Sequence, residues 1–199
     1  MEKKNQPIYK ASASMLALAG MSIALAKVLD FIKIYQLPNG GSVTLGAMVP
    51  LMLFAILYGW KWGAAVGALY GLIEFMLNPY VVHPLQMILD YPLAFAMLGF
   101  AGIAFGNRKK FLSVLPSILL AAALRLGVHV ISGCIFYSTI DFTKEGASLL
   151  AALSPSNWLS GLGYSITYNA SYLIPETIIC ILLIGMLWKP IMDFADRKR

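Results

Sequence analysis

Charge is what this sequence has least of. Asp, Glu, Lys and Arg make up 12% of its 199 residues, while 59% are hydrophobic. That is about half the charged share of an ordinary soluble domain, and it excludes a solvated globular surface. Apolar runs of about the ~20 residues that cross ~30 Å of hydrocarbon point instead to an integral membrane protein, a single domain over residues 1–199. Cysteine is almost missing. Cys134 and Cys180 both lie in apolar stretches, so a disulfide framework is not expected and both read as small packing residues. Histidine is as scarce, with His83 and His129 alone. There is no HExxH and no metal-ligand spacing, so neither a metal site nor a cofactor is expected. No Walker A loop is present, which excludes ATP hydrolysis by that route. Ser132 is near His129 in sequence, yet no nucleophile elbow accompanies it. An intramembrane enzyme remains an alternative class of function.

What the sequence does have is punctuation. Gly- and Pro-bearing joints such as "LPNGGS", "GWKWG" and "NPYVVHP" divide it into six helices at about 11–34, 44–58, 62–77, 85–105, 111–137 and 161–188. The expected fold is an all-α membrane bundle of six transmembrane helices. The basic start "MEKKNQPIYK" leads into an apolar run to about Val28. That run is too long for a typical signal-peptide core and no convincing A-x-A cleavage site follows it, so it reads as a retained first helix. Placing both termini in the cytoplasm puts eleven of the fifteen basic residues there: Lys3, Lys4, Lys10, Lys61, Arg108, Lys109, Lys110, Lys189, Arg197, Lys198 and Arg199. The external loops then hold only Lys144, beside Glu145. This is the positive-inside pattern. The net charge of +6 is thus a topology signal, with anionic lipid head groups as partners and no nucleic acid needed.

Polar groups inside a membrane are costly and need a partner or a purpose. With a rise of ~1.5 Å per residue, Asp90 and Tyr91 on helix four fall in the same outer layer as Arg125 and His129 on helix five. Tyr164, Tyr168 and Asn169 on helix six join them there. Arg125 and His129 share a helical face; Tyr164 and Tyr168 share another, with Tyr172 one turn on. A carboxylate among aromatic rings suits a small, flat, aromatic cation. Simpler readings stay open for each residue. Asp90 could cap a helix or pair with Arg125, and His129 could be a packing histidine. Tyr80, Tyr137, Trp158 and Tyr164 could belong to an interfacial belt, and Trp60, Trp62 and Trp188 anchor the inner interface. Lys27, Asp30 and Lys33 read as a local ion cluster or snorkelling side chains. Glu74 could reach water or a loop. Glu176, beside Pro175, has no assigned role.

Several blocks in order carry a resemblance across nearly the whole chain: "LPNGGSVTLGAMVPLMLFAILYGWKWGAAVGALYGL", "HPLQMILDYPLAFAMLGFAG", "RLGVHVISGCIFY" and "YSITYNASYLIPE". The sequence resembles the thiamine-specific membrane-embedded substrate-binding component (S-component) of energy-coupling-factor vitamin transporters. The resemblance implies a six-helix, non-enzymatic subunit of the bacterial cell membrane that captures thiamine from outside. A transmembrane coupling subunit and two ATP-binding-cassette ATPases would then drive release inside. It also implies that the family's acidic-Tyr pair falls on Asp90 and Tyr91, its histidine on His129, its helix-six Tyr and Asn on Tyr164 and Asn169, and its loop tyrosine on Tyr80. Further aromatics fall on Tyr137, Tyr70 and Tyr35. Aspartate stands where Glu is common, one methylene shorter, and Tyr137 where a Trp can occur. Docking to the coupling subunit is expected through small residues four apart on helix one, where the register gives Leu16, Gly20 and Ala24, the leucine departing from the pattern. Without the resemblance that stripe could equally be ordinary helix packing. The first and fifth loops are the candidate lids. A related S-component for another vitamin, such as riboflavin, is the rival substrate.

Overall fold

A computed structural model describes residues 11–107, 110–137 and 148–197. Lys3, Lys4, Lys10, Arg108, Lys109, Lys144, Glu145, Lys198 and Arg199, on which much of the orientation argument rests, lie outside the described residues, as does most of the fifth loop.

The first helix, α1 (Ala13–Phe31), starts where Ser12 accepts a hydrogen bond from the Met15 amide at 3.2 Å, a side-chain N-cap. It ends three residues before the sequence suggests. Lys33–Gln36 leaves the helix as strand β1 and pairs antiparallel with β2 (Ser42–Thr44) across a turn at Pro38–Gly40. Gly40 takes φ +95° there, open to glycine at no steric cost. This hairpin corrects the purely helical expectation: the backbone groups of 33–36 find partners across the turn rather than along a helix. For the same reason the second helix begins at Met48 rather than 44. Thr44 belongs to β2, and its Oγ1 accepts from the Ala47 amide at 3.0 Å.

α2 (Met48–Tyr58) is buried over nearly its whole length and joins α3 (Trp60–Leu77) at Gly59. The fourth rod, α4, spans 84–107 in four successive forms. These are an α-helical start at Pro84–Ile88, a π-helical turn at Leu89–Leu93, a short α segment at Ala94–Ala96 and a 3-10 run at Met97–Asn107. α5 is Phe111–Phe136. The polar stretch after it contains a short helix, α6 (Leu149–Ala152), and α7 runs from Pro155 to Arg197. α7 thus begins six residues before the apolar pattern does, because proline is preorganised for the first helical turn and Ser154 Oγ accepts from the Asn157 amide at 3.4 Å. The fold is nearly all helical. Four stretches among the described residues are long and apolar enough to cross a membrane: Ala13–Phe31, Pro84–Ala104, Phe111–Phe136 and Pro155–Asp193.

α4 is the spine, packed by α2, α3 and α5. On α3, Gly63, Gly67 and Gly71 recur every fourth residue and so lie on one face. A Cβ at Gly67 would overlap the Phe95 carbonyl, and one at Gly71 the Tyr91 carbonyl. The glycines let the two backbones touch. The apolar core fills the end of the bundle away from Asp90, with Met52, Ile56, Leu98, Ile118 and Ile184 all essentially inaccessible.

Candidate functional site

Pro92 has no amide hydrogen, so the α4 ladder cannot continue through it. The rod widens into the π-helical turn Leu89–Leu93 instead, a device common at functional sites. Gly71 admits the Tyr91 carbonyl against α3. Asp90 and Tyr91 are thereby presented to a cavity of about 490 Å³ bounded by α3, α4, α5, α7 and the β1–β2 hairpin, well within the range of small-molecule sites.

Asp90 is held from two sides. Its Oδ1 lies 3.1 Å from His129 Nδ1, and Gln86 Nε2 donates to its Oδ2 at 2.7 Å. Arg125 Nε donates to His129 Nε2 at 3.5 Å. His129 thus bridges Asp90 and Arg125 across one face of α5. The ion pair weighed between Asp90 and Arg125 does not form: the guanidinium lies over the Phe95 ring, 4.1 Å from its centroid. Among the described residues no Lys or Arg pairs with Asp90. The carboxylate is therefore held by Gln86 and His129 and by no Lys or Arg side chain among the described residues.

Aromatic rings form the walls. Tyr80, Tyr91, Tyr137, Tyr164, Tyr168 and Tyr172 all line the cavity, with Asn169 beside them. Tyr80 and Tyr137 are near-parallel, at 15° with centroids 6.3 Å apart, and Tyr164 stacks on Tyr168 at 5.8 Å. Burial, helped by the charge of Asp90, raises the Tyr137 phenol, so that ring stays neutral. Asn169 donates to the Ser165 carbonyl at 2.9 Å and accepts from the Tyr172 hydroxyl at 2.9 Å. Trp158 packs against Ile135, Phe136 and Ala152.

Two aromatics expected at the site are elsewhere. Tyr70 is fully buried in the apolar core, edge-on to Phe95. Tyr35 is 58% exposed and points away from the cavity, whereas its neighbours Lys33 and Gln36 line it. A register shift between Lys33 and Tyr35 breaks the strand's alternation, as a bulge does. Ser132 is buried and its Oγ has no hydrogen-bond partner among the described residues, so His129 does not activate it as a nucleophile.

Other residues join the site without an advance signal. Gln86 reads as one polar residue at a helix start. Glu74 lines the cavity and bonds Lys27, which also pairs with Asp30 at 2.9 Å. The expected α1 cluster is real for Lys27 and Asp30, but it extends to α3 and leaves Lys33 out. Glu176 accepts from the Thr44 amide and, at 2.6 Å, from its hydroxyl, and so roots the hairpin on α7. At the hairpin's tip the Tyr168 hydroxyl accepts from the Gly41 amide at 3.1 Å and donates to the Pro38 carbonyl.

Comparison with known proteins adds independent findings. A model of the family described as "Thiamine transporter protein (Thia_YuaJ)" matches residues 16–195. A Bacillus subtilis (strain 168) protein, "Thiamine transporter ThiT", is 31% identical over 192 residues, covering 90% of this chain and 92% of the relative. A protein of the same name from Lacticaseibacillus paracasei is 23% identical over 154 residues, 70% of each chain. A solved structure of ThiT from Listeria monocytogenes superposes with a TM-score of 0.71 at 22% identity, covering 89% of this chain and 94% of that one.

Proposed function

The chain belongs to the thiamine transporter protein family, and on that premise we propose that it is a high-affinity thiamine-capture subunit, the S-component of an ATP-driven vitamin importer in a bacterial cell membrane. Asp90 carries this reading: a carboxylate with two hydrogen-bond partners and no Lys or Arg beside it among the described residues, opening on a tyrosine-walled cavity. An anion partly withdrawn from solvent in this way, its side chain 18% exposed, is stabilised when a cation joins it. Thiamine supplies a thiazolium cation and an aminopyrimidine whose edge donates to a carboxylate. Asp90 takes that edge, with His129, Tyr164 and Asn169 as polar neighbours. Tyr80, Tyr91 and Tyr137 bracket the rings. The near-parallel Tyr80 and Tyr137, with centroids 6.3 Å apart, need only a small separation to admit a third ring at two contact distances of about 3.5 Å each. Tyr35 and Tyr70 are left out of this set.

The chain crosses the membrane six times, the shorter α2 and α3 completing the set begun by the four long spans. Lys61, Lys110 and Lys189 stand at the opposite ends of their helices from the cavity-lining residues. That supports a cavity open to the outside and basic ends in the cytoplasm. The hairpin serves as lid. Gly20 meets nothing within 4 Å, and Leu16 is 57% exposed. The Leu16–Gly20–Ala24 stripe is therefore turned away from its own bundle and free to dock on a transmembrane coupling subunit. Two partner ATPases supply the energy, since ligand binding alone cannot drive a full transport cycle.

Titrating the purified full chain with thiamine and with riboflavin tests the substrate. Saturable thiamine binding with none for riboflavin is expected, and the reverse refutes the reading. The mass of the copurified small molecule, before and after incubation, tests whether it is converted; no change is expected.

A further inference from the structure

We infer that Gln86 is a positioning residue of the binding site, one side chain that sets both the orientation of the Asp90 carboxylate and the place of the Tyr80 wall. The inference rests on the thiamine-binding reading and deepens it. Gln86 is 1% exposed, and a buried carboxamide is costly unless its hydrogen-bonding capacity is used. Here it is. Nε2 donates to Asp90 Oδ2 at 2.7 Å and to the Tyr80 carbonyl at 3.2 Å, and Oε1 accepts from the Val82 amide at 3.2 Å. Both donor hydrogens and the acceptor are engaged, two of the three bonds by the loop that carries Tyr80.

That loop is gripped from its other side as well. The Tyr80 amide donates to the Tyr91 hydroxyl at 2.8 Å, which donates in turn to the Asn78 carbonyl at 2.9 Å. The Tyr80 peptide is thus fixed at its N–H by Tyr91 and at its C=O by Gln86, and its ring faces Tyr137 across the cavity. Gln86 is the only group among these that touches both the loop and the carboxylate. It matters more for an aspartate than for a longer acid. The shorter side chain brings its oxygens less far into the cavity, so a change of rotamer would carry them away from the ligand. With Oδ2 held by Gln86 and Oδ1 by His129, one orientation is selected, and the remaining lone pairs are left for an incoming donor.

Equilibrium thiamine titrations of the full chain in lipid nanodiscs test this. Wild type must bind first; absence of binding refutes the thiamine reading itself rather than the role of Gln86. Gln86→Met keeps the volume but cannot donate. It should bind thiamine at least about tenfold more weakly, and an affinity within about twofold of wild type overturns the inference. Gln86→Glu supplies the readout that a purely structural role would not move. The introduced carboxyl would face Asp90, with His129 and Arg125 on α5, Glu74 on α3 and the Tyr80, Tyr91 and Tyr137 phenols as other charged or titratable groups lining the cavity. Two adjacent carboxyls share a proton. At about pH 5 the introduced carboxyl is protonated and its O–H restores the donor to Asp90; near pH 8 its ionisation removes that donor and adds a second charge. Relative to wild type, which carries the same His129, Arg125, Glu74 and tyrosines, Gln86→Glu should be about tenfold weaker near pH 8 and recover most of that loss by about pH 5. A pH-independent defect, or tighter binding at high pH, overturns the inference even if Gln86→Met does not fold.

Discussion

The two ends of this bundle are built on opposite principles from the same helices. At the closed end, α2, α4, α5 and α7 interlock through Met52, Ile56, Leu98, Ile118 and Ile184. The polar exception, Ser117, spends its hydroxyl on the backbone carbonyls of Ala101 and Val114. At the cavity end only small apolar clusters remain, around Val43 and Ile135, and the directed contacts are side-chain hydrogen bonds: His129 and Gln86 to Asp90, Lys27 to Glu74, Glu176 to Thr44, Tyr168 to the hairpin. Dense apolar packing stabilises in proportion to buried area and selects no ligand. A directed polar layer contributes little net stability per bond but fixes where each donor and acceptor points. One end holds the shape, and the other end uses it.

The sharpest way to break that division is at Asp90. Asp90→Ala should cost roughly a hundredfold in thiamine affinity, from the loss of charge-assisted hydrogen bonds, and should lower the unfolding temperature of the ligand-free protein only modestly, through the one Gln86 donor it leaves unpaired. Isothermal titration and a thermal melt on the same preparation check both halves. A matched pair of glycines comes next. Gly71→Val pushes on the Tyr91 backbone at the cavity end, and Gly99→Val on the Ala64 backbone at the closed end. Both should lower the melting temperature, since overpacking costs about 1–3 kcal/mol. Only Gly71→Val should also weaken thiamine binding, by about tenfold, because it displaces the π-helical turn; equal binding by both variants would erase the distinction between the ends. A smaller effect is expected at the hairpin. Tyr168→Phe removes the hydroxyl that holds Gly41 and Pro38, and at about 1 kcal/mol for such a bond thiamine should dissociate several-fold faster in stopped-flow fluorescence. The smallest belongs to Lys61→Ala. Lys61 lies over the Trp60 ring at the closed end, 5.7 Å from its centroid, and removing so exposed a contact should change affinity by less than about twofold.

Much of this was readable along the chain, and what was readable shares a property. Helix positions follow from local apolar runs and breakers, and five of the six expected segments sit within a few residues of the observed helices, the sixth being extended at both ends. Asp90, Tyr91, His129, Tyr164 and Asn169 announced themselves as polar or aromatic residues at one depth, and all line the cavity. The hairpin did not announce itself. "KIYQ" is a short strand with every residue exposed, and only its pairing with Ser42–Thr44 makes it one. Nor could residue type separate Tyr70, Tyr35 and Tyr80: the same ring serves as core filler, exposed strand residue and cavity wall. Gln86, Glu74 and Glu176 remained uninterpretable until their partners at Tyr80, Lys27 and Thr44 were known.

Composition and spacing alone decided that the chain lives in a bilayer, where its helices fall, and that an acid and a set of phenols share one layer, because hydropathy and helical phase are local quantities. They could not decide which cation or donor meets that acid. Arg125 and His129 share a face and stand one turn apart, so either could have reached Asp90. The choice came from α3 glycines admitting the widened turn of α4, and from the Phe95 ring capturing the guanidinium. Those contacts join residues far apart in the chain, and only folding brings them within bonding distance.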